Sequence, residues 1–133
     1  MRKVKLDISQ RDYLPIGSSN FEILRADQAL YVDKTALIYK LAKDQGYYFL
    51  SRPRRFGKSL LISTFESLFK NGIKDFKGLA IEKKWQDHTY PVVHLVFSSC
   101  SYFQTIEKFK KDFLCMLRDA VTAANLEFPP HKI

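Results

Sequence analysis

At 133 residues and 46% apolar content, the chain is sized for one domain with a real core. Eleven Phe and seven Tyr exclude a disordered tail, and a net charge of +8 favours polyanionic partners (nucleotides, nucleic acid or an acidic membrane surface) without choosing among them. No apolar run approaches the ~18 residues of a membrane span, no apolar h-region follows the basic Met1-Arg2-Lys3-Val4-Lys5 start, and Cys100 and Cys115 make no metal spacing with His88, His94 or His131, so a cytoplasmic, soluble protein with free thiols and no membrane partner is expected.

Residues 1 to 20 carry turn signals at Pro15 and Gly17-Ser18-Ser19-Asn20 and read as an extended lead-in. Phe21 to Leu24 and Ala29 to Val32 are short apolar stretches separated by Arg25-Ala26-Asp27-Gln28, the pattern of a small hairpin. Asp33 is a good N-cap for a helix whose stripe is Ala36, Leu37, Ile38, Leu41 and Ala42, with Gly46 as its stop. Tyr47 to Leu50 is an apolar run of strand length. It feeds a polar loop that ends in Gly57-Lys58-Ser59 and opens into a helix with Leu61, Phe65, Leu68 and Phe69 on one face, suited to packing on a sheet. Asn71-Gly72 ends that helix. Phe76, Leu79, Ile81 and Trp85 then punctuate a lysine-rich connection of short helical turns. Pro91 to Phe97 is nearly continuous in apolar residues, as buried parallel strands are, and makes His94 a core histidine. Ser101 and Gln104 form a capping box for a last helix through Ile106, Phe109, Phe113, Met116, Leu117 and Val121, with Cys115 in the core, fading near Asn125 before Pro129-Pro130.

Strand, loop and helix in that order are what a phosphate-binding loop requires. Backbone N–H groups of the loop and the first helical turn converge on one anion, and the helix N-terminus supplies partial positive charge. In such a loop the lysine reaches the β- and γ-phosphates and the next Ser or Thr hydroxyl helps hold Mg²⁺; Lys58 and Ser59 match these positions. The full pattern is G-x-x-x-x-G-K-[ST], and Arg52 stands where its first glycine belongs. Pro53 biases Arg52 toward an extended backbone, so that position needs no positive φ. From Gln45 to Phe65 there is no acidic residue, while Arg52, Arg54, Arg55 and Lys58 all fall there. Four cations around such a loop complement an anion. The expected fold class is therefore α/β, P-loop NTPase-like, with truncated αβα layers and few parallel strands. It forms a single domain, 1–133, with a lead-in at 1–32 and an α/β part at 33–133 that carries the phosphate loop at 51–59.

The phrases Leu14-Pro15-Ile16-Gly17, Tyr31-Val32-Asp33-Lys34-Thr35, Ser51-Arg52-Pro53-Arg54-Arg55-Phe56-Gly57-Lys58-Ser59-Leu60-Leu61, Phe76-Lys77-Gly78-Leu79 and Tyr90-Pro91-Val92-Val93-His94-Leu95 together resemble the N-terminal part of the predicted AAA-ATPase-like family of bacteria and archaea. Longer members of that family often carry a C-terminal restriction-endonuclease-like nuclease domain. The Arg-Pro-Arg-Arg-Phe-Gly-Lys-Ser run is the family's variant of the phosphate loop, so Arg52 in place of glycine is a family habit. The resemblance implies ATP and Mg²⁺ as cofactors, with Arg54, Arg55, Phe56, Gly57, Lys58, Ser59 and Leu60 around the phosphates and Ser59 as the Mg²⁺ residue. It leaves open whether Tyr31 to Thr35 touch the base or pack under the loop. Hydrolysis in such proteins needs an apolar strand ending in Asp-Glu, the Walker B element, which the resemblance places downstream of the last helix. No apolar strand read here ends in acid.

Three readings follow. The first is an ATP-binding module of an AAA-ATPase-like protein, with hydrolysis absent or weak in this chain alone and an oligomer or a missing C-terminal half to complete it. The second is a basic nucleic-acid-binding module in which Arg52, Arg54, Arg55 and Lys58 meet backbone phosphates and Tyr47, Tyr48 and Phe56 stack on bases. The third is a truncated remnant without function.

Overall fold

The computed structural model describes residues 14–128 except 87, 101 and 103. Four α-helices follow one another: α1 (Phe21–Ala26), α2 (Thr35–Lys43), α3 (Lys58–Asn71) and α4 (Ile106–Ala123), with a 3-10 turn at Phe97–Cys100. The chain divides into two compact units, one ending at Thr89 and one beginning at Tyr90.

In the first unit α1 packs on α3. Phe21 and Leu24 on α1, Ala29 and Tyr31 after it, Ile38 on α2, Leu68 on α3, and Phe76, Leu79 and Ile81 beyond α3 form the buried core. Its centre is aromatic: Phe21 meets Tyr31 edge-on at 5.2 Å between ring centroids and lies 4.6 Å from Phe76. Leu60, Leu61, Phe65, Tyr39, Ala42 and Trp85 close around it, half-buried. Side chains seal α1 to α3 at both ends. The Phe21 N–H donates to Ser63 Oγ at 3.0 Å, and the Asn71 amide donates to Glu22 at 2.9 Å.

The second unit is built around α4. Thr105 caps it by accepting from the Lys108 N–H, and Phe97 and Phe109 each stack on Phe113 at 6.1 Å. No residue of α4 is fully buried, and the buried Cys100 thiol lies 3.9 Å from Met116 Sδ. Among the described residues no helix is long and apolar enough to cross a membrane.

The architecture corrects the α/β expectation. The described residues contain no strand and no sheet, so truncated αβα layers with few parallel strands are not what this chain adopts. Tyr47 to Leu50 is irregular and projects into solvent, with Tyr47 at 106% and Phe49 at 94% relative exposure. Residues 91–96 are irregular too, and His94 is exposed rather than a core histidine. The physical reason is that a strand's N–H and C=O groups must be answered by a neighbouring strand. Strand-like composition within one stretch does not by itself supply that neighbour.

Local expectations shift for similar reasons. Phe21 to Leu24 is helical, not half of a hairpin, because Asn20 Oδ1 accepts the Ile23 N–H and starts α1. Asp33 sits one residue ahead of the α2 cap at Lys34, and α2 ends at Lys43, before Gly46. α3 packs on α1 rather than on a sheet. Thr105 caps α4; the Ser101 of the expected capping box lies outside the described residues, as do residues 1–13 and Pro129-Pro130. Cys115 is exposed, not core.

Phe21 is completely buried and touches two other core rings, so Phe21→Ala should cost about 3–5 kcal/mol in chemical denaturation. Ile16→Ala, at an exposed position, should stay within about 0.5 kcal/mol. Equal effects of the two substitutions would contradict this core.

Candidate functional site

The loop before α3 makes a sharp backbone reversal. Arg55 and Gly57 both take the left-handed region, with φ of 64° and 75°, on either side of Phe56. Glycine reaches that region without penalty, whereas a residue with a side chain is strained there by roughly 1–2 kcal/mol. Gly57 is also the N-cap of α3 and has no side chain with which to cap it. The first intrahelical bond runs from the Leu61 N–H to the Gly57 carbonyl at 2.9 Å. The N–H groups of Lys58, Ser59 and Leu60 precede it and have no acceptor within the helix. By contrast, Asn20 and Thr105 cap α1 and α4 with their own oxygens.

A cavity of about 620 Å³ opens at this helix end, lined by Arg54, Arg55, Gly57, Lys58, Ser59 and Leu60 from the loop and helix and by Gly17, Ser18 and Ser19 from the opposite wall. Among the described residues no carboxylate lines it. Lys58 is half-buried and folds back on its own loop, its ammonium donating to the Arg52 carbonyl at 2.5 Å and the Pro53 carbonyl at 2.9 Å. Ser59 is exposed. Of the residues that the sequence picks out, six line this cavity. Phe56 does not; it is exposed and lines a neighbouring cavity of about 450 Å³ together with Lys34, Leu50, Arg52, Gly57 and Leu60.

The wall made by Gly17, Ser18 and Ser19 went unread as a site element, because a Gly-Ser-Ser-Asn run signals no more than a turn. Ser63 holds it in place. Its hydroxyl accepts from the Phe21 N–H and lies 3.1 Å from the Ser19 carbonyl and 2.9 Å from the Leu60 carbonyl, either of which can take its single proton. The only sequence signal would be Ser63 itself, a polar residue one turn beyond the glycine-lysine-serine step.

No residue of the Tyr31 to Thr35 phrase lines the anion cavity; Tyr31, Val32 and Lys34 line the neighbouring one. Asp33 Oδ1 accepts from the Thr35 N–H at 2.9 Å and the Thr35 hydroxyl at 2.6 Å, while Asp33 Oδ2 accepts from the Ala80 N–H at 2.8 Å. Thr35 Oγ1, fully buried, accepts in turn from the Ile81 N–H at 3.1 Å. Burial pushes the Asp33 carboxyl up, but the Thr35 and Ala80 donors and the Arg25 guanidinium outweigh it and hold the group below the ordinary aspartate value of 3.8. Burial and the Asp33 carboxylate raise Tyr31, against a hydrogen bond with Thr64 and the charge of Arg25. Among the described residues no group of three or more His, Cys, Asp or Glu is placed to hold a metal ion.

Comparison with known proteins agrees with the phrases in the chain. The family described as Predicted AAA-ATPase matches residues 15–129. An "Uncharacterized protein in vnfD 5'region" from Azotobacter chroococcum mcd 1 is 42% identical over 89 residues, which is 65% of this chain and 17% of that relative. The chain thus aligns with about a sixth of that relative's length. No solved structure matches.

Two outcomes test the geometry. A Cβ on Gly57 would meet nothing within 4 Å, so Gly57→Ala should lose only the backbone term, about 1 kcal/mol in denaturant unfolding; an unchanged or raised stability would contradict the left-handed turn. A folded-state pKa below the unfolded one stabilises the fold above pH ~4 and is lost as pH falls through the folded value. Asp33→Asn should therefore be less stable near neutrality and flatten the loss of stability below pH ~4, as read by thermal unfolding across pH; an identical acid limb in parent and variant would count against the Asp33 network.

Proposed function

Because the chain belongs to the predicted AAA-ATPase family, we propose that it is an ATP-binding module. Arg54, Arg55, Gly57, Lys58, Ser59 and Leu60 would surround the phosphates, with Phe56 on the far side of the loop. The observation that supports this most is the convergence of cationic side chains and unshared first-turn N–H groups on one cavity of about 620 Å³ at the N-terminus of α3. That volume lies within the usual range for small-molecule and cofactor sites, and the donor set suits an oxyanion. Arg54 and Arg55 bring charge from the loop, the α3 N-terminus brings backbone donors, and Lys58 lines the same space.

Lys58 has a specific task in this reading. Its ammonium sits on two main-chain carbonyls of the loop, and an incoming phosphate, carrying full charge, would be the stronger acceptor. Binding exchanges one set of acceptors for another. The Ser59 hydroxyl offers an oxygen for Mg²⁺; the metal, when bound, neutralises charge between the β- and γ-phosphates. With no carboxylate among the described residues of the cavity wall to orient water, we read the module as one that binds nucleotide and hydrolyses it weakly or not at all by itself. Neither Cys100 nor Cys115 is in a disulfide, which suits the reducing cytoplasm in which we place it.

The test is a thermal-shift titration with MgATP. At a hundredfold excess over Kd, the parent should gain about 2.7 kcal/mol of stability. Lys58→Ala should lose that gain while still unfolding cooperatively, and Ser59→Ala should bind with reduced dependence on Mg²⁺. A cooperatively folded parent that MgATP leaves unmoved would sink the proposal.

A further inference from the structure

We infer that the segment from Tyr47 to Phe56, with the cavity at its end, is a binding surface for single-stranded nucleic acid that adjoins the nucleotide cavity. Tyr47, Tyr48, Phe49 and Phe56 are all exposed. The chain buries Phe21 and Phe76 completely in the same unit, so it has a core in which aromatic rings are sequestered and yet leaves four others in water. Contiguous exposed apolar surface marks a contact. Charge identifies the partner: Arg52 lies in this segment, Lys34 lines the cavity at its end, and no acidic residue occurs from Gln45 to Phe65. Exposed rings beside cations match a partner that alternates flat apolar faces with phosphates. Bases offer their faces only when unpaired, which selects a single strand over a duplex.

A second feature lies at the end of the same segment. The cavity of about 450 Å³ takes Leu50, Arg52 and Phe56 from it and Lys34 from the turn before α2. Its wall is largely apolar, with two cations among its lining residues, a combination suited to one splayed base whose flanking phosphates meet Arg52 and Lys34. Arg54 and Arg55 belong to the nucleotide cavity and are left out of the assignment. A lipid surface would meet the same cations, but it has no use for a pocket of this kind.

The experiment is fluorescence anisotropy with labelled oligothymidylate and oligouridylate of about 5 to 20 nucleotides, a span that brackets common single-strand site sizes. A duplex of matched length and phosphatidylserine vesicles serve as competing probes. Affinity should rise with strand length until the site is filled and fall with salt at about 0.7 log units per phosphate contacted, a slope that Arg52→Gln lowers by about 0.7. The double variant Tyr47→Ala/Phe49→Ala should weaken single-strand binding about tenfold or more while its MgATP thermal shift matches that of the parent. Comparison of the thymidylate and uridylate series tells whether the strand is DNA or RNA. The inference is overturned if affinity does not depend on length, if the duplex binds as tightly as the single strand, if vesicles but not strands are bound, or if the aromatic double variant binds as the parent does. The nucleotide proposal is read separately: its failure removes the MgATP shift and leaves these strand affinities in place.

Discussion

Everything in the first unit depends on how a stretch with neither long helix nor sheet, residues 73–85, finds partners for its main chain. Side chains from far earlier in the sequence supply them. Asp33 and Thr35 accept the N–H groups of Ala80 and Ile81, and the Arg25 guanidinium donates to the carbonyls of Asp75 and Lys77 at 2.9 and 2.6 Å. Ser67 on α3 adds a bond of 2.8 Å to the Asp75 carboxylate. The Ile81 N–H is the buried group among these, and left without a partner it would cost about as much as a lost hydrogen bond. With these partners in place, Phe76, Leu79 and Ile81 can be driven into the core against Phe21 and Leu68. The cluster thus converts a string of turns into one wall of a hydrophobic core.

That wall fixes α3, and α3 fixes the loop. Leu68 is buried near the helix's C-terminal end, while Gly57, Lys58 and Ser59 stand at its N-terminal end, outside the core. Packing energy at one end is therefore available to hold a strained turn at the other, where Arg55 occupies the left-handed region. The Ser63 hydroxyl repeats the arrangement on a smaller scale by tethering the Ser19 carbonyl and the start of α1 beside α3. The Gly17 to Ser19 wall of the cavity thus rests on bonds of Ser63, which does not line it.

The exposed rings set the first unit's surface apart from an inert one. Chains of this size can bury only part of their apolar surface, and exposed aliphatic residues such as Ile16 and Leu37 are scattered along the unit, but among its described residues the exposed aromatic rings fall in one segment that is also free of acid. The same composition that defeats a strand, an apolar run without a neighbour, leaves its aromatic faces open to contact from outside.

The periodic stripes made α2, α3 and α4 legible, because i, i+3 and i+4 spacing is a local property that a helix satisfies within itself. The glycine-lysine-serine step and the acid-free cationic run were equally plain, and with them the family. The short helix α1 was misread, since six residues hold too little period to separate helix from strand, although Asn20 was a signal that could have decided it. Tyr47 to Leu50 and Pro91 to Phe97 have the composition of strands and do not form them, because pairing is a relation between distant segments that no single stretch encodes. By itself, then, the sequence determined the helical stripes, the acid-free cationic loop and the family. Only the tertiary structure decided that the Asp33 and Thr35 phrase clamps residues 80 and 81, that Gly17 to Ser19 face the loop, and that the strand-like runs take an irregular backbone. Those outcomes rest on hydrogen bonds and packing between residues more than forty positions apart.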